Sequence, residues 1–195
     1  MSLIKSISGI RGTIGGKVDD NLTPVDVVKF TAAFGTWLQK TQNKKDLTLV
    51  IGRDARISGA MVNSLVTATL QGLGINVVDL GLSTTPTVEV MVPELKADGG
   101  IILTASHNPK QWNALKLLNE KGEFISGKDG AEMLEIAEKE DFNFAEVDDL
   151  GKYETRTDAF DIHIQKILDL PMVDADAVKS KKFKVVLDAV NSTGG

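Results

Sequence analysis

Short apolar runs and longer amphipathic ones take turns along most of the chain. Residues 47–51, 75–80, 100–103 and 114–118 are brief and rich in Val, Ile and Leu, which predicts buried strands. Between them, Val27, Phe30, Phe34, Trp37 and Leu38 recur at helical spacing and predict a helix over 23–39, with Thr23 as N-cap and Pro24 in its first turn. A second helix is expected over 58–73, with Ser58 as cap and Gly74 free to end it in a left-handed conformation. A third should start at Thr85-Pro86 and kink or end at Pro93, whose ring collides with the preceding turn. Residues 126–139 read as a fourth helix and 141–152 as a polar connector.

Strands alternating with helices are the pattern of a layered α/β protein. The expected fold is a three-layer α/β/α domain with a mixed, mostly parallel sheet, followed by the start of a second similar domain. The pattern restarts after the connector, with Phe160, Ile164, Ile167 and Leu168 on one helical face and a strand over 184–188. Two domains are therefore expected, over 1–152 and 153–195, the second broken off after a single strand that cannot close a sheet by itself.

Composition narrows the function classes. With 195 residues, 42% of them apolar, the chain can bury a sizeable core. The formal net charge of −5 argues against a nucleic-acid partner, because such affinity rests on clustered Lys and Arg, and Lys44-Lys45 and 179–184 are short clusters. There are no cysteines, so disulfides, thiolate metal sites and thiol nucleophiles are excluded. No apolar run approaches the ~20 residues of a membrane span, and the start lacks the apolar core of a secretory signal, so a cytoplasmic protein without a membrane partner is expected. The sequence carries no sign of oligomeric state. Neither Gly-x-x-x-x-Gly-Lys-[Ser/Thr] nor a Gly-x-Gly-x-x-Gly after a strand occurs, so a nucleotide site lacks its phosphate cradle. Asp174-Ala175-Asp176 reads as a helix start and His163 as a surface or packing residue.

The chemistry concentrates in Thr104-Ala105-Ser106-His107-Asn108-Pro109, followed by Trp112-Asn113-Ala114-Leu115-Lys116. A buried strand delivers small polar residues into a turn, and the chain returns as a strand carrying Lys116. A hydroxyl that carries a phosphoryl group must stand at a loop tip among donors and cations, and Ser106 with His107, Lys116 and nearby arginines fits that need. A serine-hydrolase reading is disfavoured: neighbours in an extended segment point to opposite faces, and no Gly-x-Ser-x-Gly elbow occurs. Two further motifs are Ser8-Gly9-Ile10-Arg11-Gly12-Thr13, where glycines let an arginine fork reach inward, and Gly52-Arg53-Asp54-Ala55-Arg56 at a strand-to-helix junction.

These motifs, with Val185-Val186-Leu187-Asp188 and the glycine turn after it, resemble the amino-terminal part of the α-D-phosphohexomutases, in order along nearly the whole chain. The resemblance implies an isomerase acting by phosphoryl transfer between the 6- and 1-oxygens of a hexose or hexosamine phosphate. Ser106 would be the phosphorylated residue and, through its phosphate, a Mg²⁺ ligand. Lys116 would be the proton shuttle with its pKa lowered by neighbouring cations, Arg11 would stand near the phosphoserine, and His107 would hold the loop or donate to phosphate. Arg53, Asp54, Arg56, Asn108 and Asn113 would bind substrate or position the loop. A sugar phosphate is the implied partner and a hexose 1,6-bisphosphate the activator. Ala114 stands where many relatives have glycine, and the family's metal loop, sugar-reading loop and carboxy-terminal phosphate site do not occur among these residues, so the chain reads as an inactive amino-terminal fragment. The alternative is a non-catalytic sugar-phosphate-binding module.

Overall fold

The computed structural model describes residues 2–6, 9–44 and 46–194. Ser8, which opens the arginine motif, Lys45 and Gly195 lie outside the described residues. The strands are β1 (Ile4–Ser6), β2 (Gly9–Thr13), β3 (Thr48–Arg53), β4 (Asn76–Leu82), β5 (Gly99–Leu103), β6 (Trp112–Leu118) and β7 (Tyr153–Thr155). They form one sheet in the order β1-β2-β6-β5-β3-β4-β7. The sheet is mixed, as expected: β5, β3, β4 and β7 run parallel, while β5-β6, β6-β2 and β2-β1 pair antiparallel. The parallel pairings are thus half of the whole.

Period-two alternation in the strands makes the three layers. Leu49, Ile51, Ile101, Leu103, Leu115 and Leu117 pack with α1 (Pro24–Gln42), α2 (Gly59–Gly72) and α4 (Gly127–Lys139) on one face. Val50, Val78, Leu80, Ile102 and Leu118 point the other way, onto α3 (Thr85–Glu94) and Ala159 of α5 (Ala159–Leu168). A strand buried on both faces needs no polar side, which is why these segments read as continuous apolar runs.

Local signals set the helix ends, with some differences from expectation. Thr23 caps α1, and Asp26 completes a capping box by returning its carboxylate to the Thr23 N–H at 3.0 Å. Gly74 follows α2 with φ of 78°, as its lack of a Cβ allows. Ser58 does not cap α2, because its hydroxyl accepts instead from Asn113 Nδ2 at 2.9 Å. Thr84, not Thr85, caps α3, accepting the Thr87 N–H at 3.3 Å, and Pro93 sits in the last turn before the helix ends. Asp174 caps α6 (Ala175–Ser180), so Asp174-Ala175-Asp176 is a helix start. His163 packs, with Nδ1 3.0 Å from Thr87 Oγ1 between α5 and α3.

Strands β1 and β2 escape the apolar pattern because β1 is a short exposed Ile4-Lys5-Ser6 and arginine and glycines dilute β2. Gly9 has φ of 109°, and a Cβ there would fall 2.0 Å from the Leu115 carbonyl oxygen, so glycine alone lets β2 lie this close to β6. Past Lys152, β7 pairs with β4 and α5 packs on α3, so the stretch expected to open a second domain begins as an addition to the first. No strand forms over 184–188, where Val186 is 95% exposed and the segment pairs with neither outer edge of the sheet, β1 or β7.

Candidate active site

Three parallel strands end side by side, and their carboxyl ends bring together segments that are far apart in sequence. Strand β3 is central between β5 and β4. It delivers Arg53 to Arg56, β4 delivers Ser83 to Thr85, and β5 delivers Thr104 to Ser106. The carboxyl edge of parallel strands is where α/β sheets open a crevice.

Arg56 organises the loop that follows β5. Its guanidinium donates to four carbonyl oxygens: Ser106 at 2.6 Å, Asn108 at 2.8 Å, Pro109 at 2.9 Å and Trp112 at 3.1 Å. Its Nε donates to Asp54 Oδ2 at 3.1 Å. The same Asp54 oxygen accepts the Thr104 hydroxyl at 2.6 Å, and Thr104 Oγ1 in turn accepts the Ser106 N–H at 3.1 Å. Asp54 and Arg56 are therefore loop-positioning residues. Among the described residues the Arg53 guanidinium donates only to the Asp54 carbonyl, at 3.3 Å. Asn108 closes the turn onto the Ala105 carbonyl at 2.8 Å, and the fully buried Asn113 ties β6 to Ser58.

This framework holds Ser106 at φ of 55°, a left-handed conformation that costs a non-glycine residue roughly 1–2 kcal/mol and persists where surroundings impose it. Its exposed hydroxyl stands at the loop tip. The turn also swings His107 around, placing Nδ1 3.5 Å from Ser106 Oγ. The expectation that the two side chains diverge fails, because the segment is not extended. The contact is long for a nucleophile and base pair, so hydrolase chemistry gains little from it.

Lys116 and Arg11 are placed differently. Lys116 is paired with Ile102 across β5 and β6, back along the strand from the loop, and its ammonium lies 5.7 Å from the centre of the Phe124 ring. Its charged neighbour is Glu89, an anion rather than the expected cations; burial raises the Glu89 carboxyl pKa, and Lys116 partly offsets that rise. Arg11 is exposed on β2, opposite Ala114. Alternation puts Arg11, Ala114 and Lys116 on the same sheet face as Leu118, beyond β3 and β5 where α3 packs. Neither residue meets the Ser106 hydroxyl here.

A cavity of about 370 Å³ lies beside Ser106, lined by Asp54, Ser83, Thr84, Thr85, Pro86, Thr104, Ser192 and Thr193. A larger one, about 650 Å³, includes Asp46, Asn76 and Lys152, which stand at or just before the starts of β3, β4 and β7, so it lies at the opposite edge of the sheet. Sequence reasoning reached only Thr85, as a helix start, passed over Ser83 and Thr84, and met Ser192-Thr193 only within the glycine turn. The run of hydroxyls before Pro86 was the available signal, and strand order gave it meaning. Among the described residues no three His, Asp or Glu side chains gather in a way that would hold a metal ion. The donors of the described residues thus do not fit a Mg²⁺ site, and a phosphate on Ser106 would be a single ligand.

Helices on both faces of a mixed sheet, with a clamped serine loop at the carboxyl edge of its parallel strands, define a layered α/β/α protein with a polar site at that edge. Residues 3–144 match the family described as phosphoglucomutase/phosphomannomutase, alpha/beta/alpha domain I, and the chain belongs to that family. It is 34% identical over 185 residues to a phosphoglucomutase/phosphomannomutase of Thermococcus kodakarensis, covering 94% of this chain and 40% of that protein. It is 33% identical over 195 residues to a phosphoglucosamine/phosphogalactosamine mutase of Sulfurisphaera tokodaii, covering 100% of this chain and 40% of that one. A solved structure titled putative phosphomannomutase from Thermus thermophilus superposes with a TM-score of 0.70 at 28% identity, over 87% of this chain and 37% of that one. The chain spans about 40% of the length of these curated relatives. No helix among the described residues is long and apolar enough to cross a membrane.

Proposed function

We propose that the chain is the phosphoserine-bearing part of a cytoplasmic enzyme that interconverts hexose or hexosamine 6-phosphates and 1-phosphates. The observation that carries this reading is Ser106 itself. It is exposed and left-handed at the mouth of a cavity, its backbone clamped by Arg56, in a chain of the phosphoglucomutase/phosphomannomutase family. In the reaction, a hydroxyl of the sugar monophosphate attacks phosphorus on Ser106, the P–Oγ bond breaks, and the attacking oxygen gives up its proton. The resulting bisphosphate returns its other phosphoryl group to Ser106 Oγ, so phosphate and charge balance over the cycle. A hexose 1,6-bisphosphate would prime the serine as activator.

Lys116 is the proposed proton shuttle and Arg11 a charge stabiliser. Their shared sheet face supports both roles, and a substrate lying across that face would have to bridge from Ser106 to them. His107 donates to the phosphate from beside Ser106. Any Mg²⁺ on the phosphoserine needs carboxylates from outside the described residues, so these steps are those of the chain's own side chains. The stretch beyond α5 is proposed to lead into a second domain.

Intact-mass and peptide analysis after incubation with a hexose 1,6-bisphosphate is expected to show one phosphoryl group on Ser106 and none in Ser106→Ala. Phosphate on Thr104 would overturn the assignment, although the Thr104 hydroxyl is already committed to Asp54. A phosphorylated enzyme that never passes its label to a sugar monophosphate would favour the non-catalytic binding module.

A further inference from the structure

Beside Ser106, the cavity contains one buried group that nothing in the fold satisfies. Ser83 is 3% exposed, and its Oγ has no hydrogen-bond partner among the described residues. Buried hydroxyls are nearly always paired, so an unpaired one on a residue that lines a cavity marks a place for something that arrives. The residue sits at the entrance of α3, a ten-residue helix whose amino end carries a partial positive charge. In that first turn Pro86 has no N–H and the Thr87 N–H is taken by Thr84 Oγ1, which leaves the Thr85 amide. Asp54 also lines the cavity, but its carboxylate is neutralised by Arg56 and accepts from Thr104.

We propose that this cavity is a seat for a phosphate dianion, held by the Ser83 hydroxyl and the amino end of α3 at Thr85, with the Ser106 hydroxyl at its rim. Its meaning rests on the reading of Ser106 as a phosphoryl carrier, since the seat would hold either the phosphoryl group of Ser106 itself or the phosphate of an incoming monoester. The volume of about 370 Å³ is within the range of small-molecule sites and exceeds what one phosphate fills.

The test is an amide NMR titration of this chain with inorganic phosphate. Saturable shifts are expected at Ser83, Thr85 and Thr104, and they should persist in Ser106→Ala. Ser83→Ala, which removes a hydroxyl that bonds to nothing, and Thr85→Pro, at a first helical position where proline is tolerated, should each weaken binding at least about fivefold while melting like the parent. Shifts confined to Arg11 and Lys116, no saturation, or parental affinity in both variants would overturn the seat. Repeating the titration on chain phosphorylated at Ser106 separates the two sources: lost binding assigns the seat to the serine's own phosphate, and retained binding assigns it to the incoming one. A Ser106 that never accepts phosphate, with binding intact, would sink the functional reading and leave the seat standing.

Discussion

At the scale of single residues, the site depends on Arg56 more than on any group expected to do chemistry. A planar fork with five donors can reach four carbonyls and a carboxylate at once, which a lysine cannot. Arg56→Ala is expected to destabilise the chain by roughly 3 kcal/mol, because it leaves carbonyls and a partly buried Asp54 without their charged partner. Arg56→Lys should recover less than half of that in urea melts, and both should slow phosphorylation of Ser106. Glu89 gives a pH-dependent counterpart. Burial raises its carboxyl above the ordinary 4.5, so the folded chain holds that proton more tightly than the unfolded one. The associated stability is fully present below the ordinary value and is lost as pH rises through the raised one. Stability of Glu89→Gln relative to the parent should therefore grow as pH rises past the ordinary carboxyl value of 4.5 and level off above the raised one, and Lys116→Ala should move the Glu89 midpoint further up in a carboxyl NMR titration.

Among the elements, β2 and α1 carry the sharpest expectations. Gly9→Ala forces a Cβ against the Leu115 carbonyl in a conformation that side chains avoid, so a loss well above ~1 kcal/mol is expected, together with loosening of the strand that carries Arg11. Thr23→Ala removes the α1 capping box and should cost about 1 kcal/mol in a thermal or urea melt. A cost near zero would mean that packing of Phe30 and Phe34 alone fixes where α1 begins.

For the whole molecule, apolar burial lies around the sheet and fades past α5, where Met172, Val185, Val186 and Leu187 are exposed. Hydrogen exchange is expected to be slowest in β3, β4 and β5 and fast over 183–194. The chain as it stands should melt cooperatively yet show no mutase turnover with glucose, mannose or glucosamine phosphates. Positioned phosphoryl transfer needs metal and substrate-phosphate groups together, and the described residues gather no metal cluster. Turnover near that of an intact mutase would refute this.

Much of the architecture was legible because both rhythms it uses are local. Apolar runs marked β3 to β6, helical spacing marked α1, α2 and α4, and Thr23-Pro24 marked where α1 begins, since each depends on neighbours within a few residues. The motif around Ser106 was legible for the same reason. What sequence could not settle were matters of partnership. Strands β1, β2 and β7 exist because neighbouring edges accept them, whereas residues 184–188, though more apolar, stay unpaired and form none. Ser58 looked like a cap until Asn113 claimed its hydroxyl. Arg56 looked equally suited to substrate or scaffold until the loop's four carbonyls converged on it. Ser83 joined the site of Ser106 only because strand order sets β4, β3 and β5 side by side, a long-range choice made by burial on both faces of the sheet rather than by any local preference.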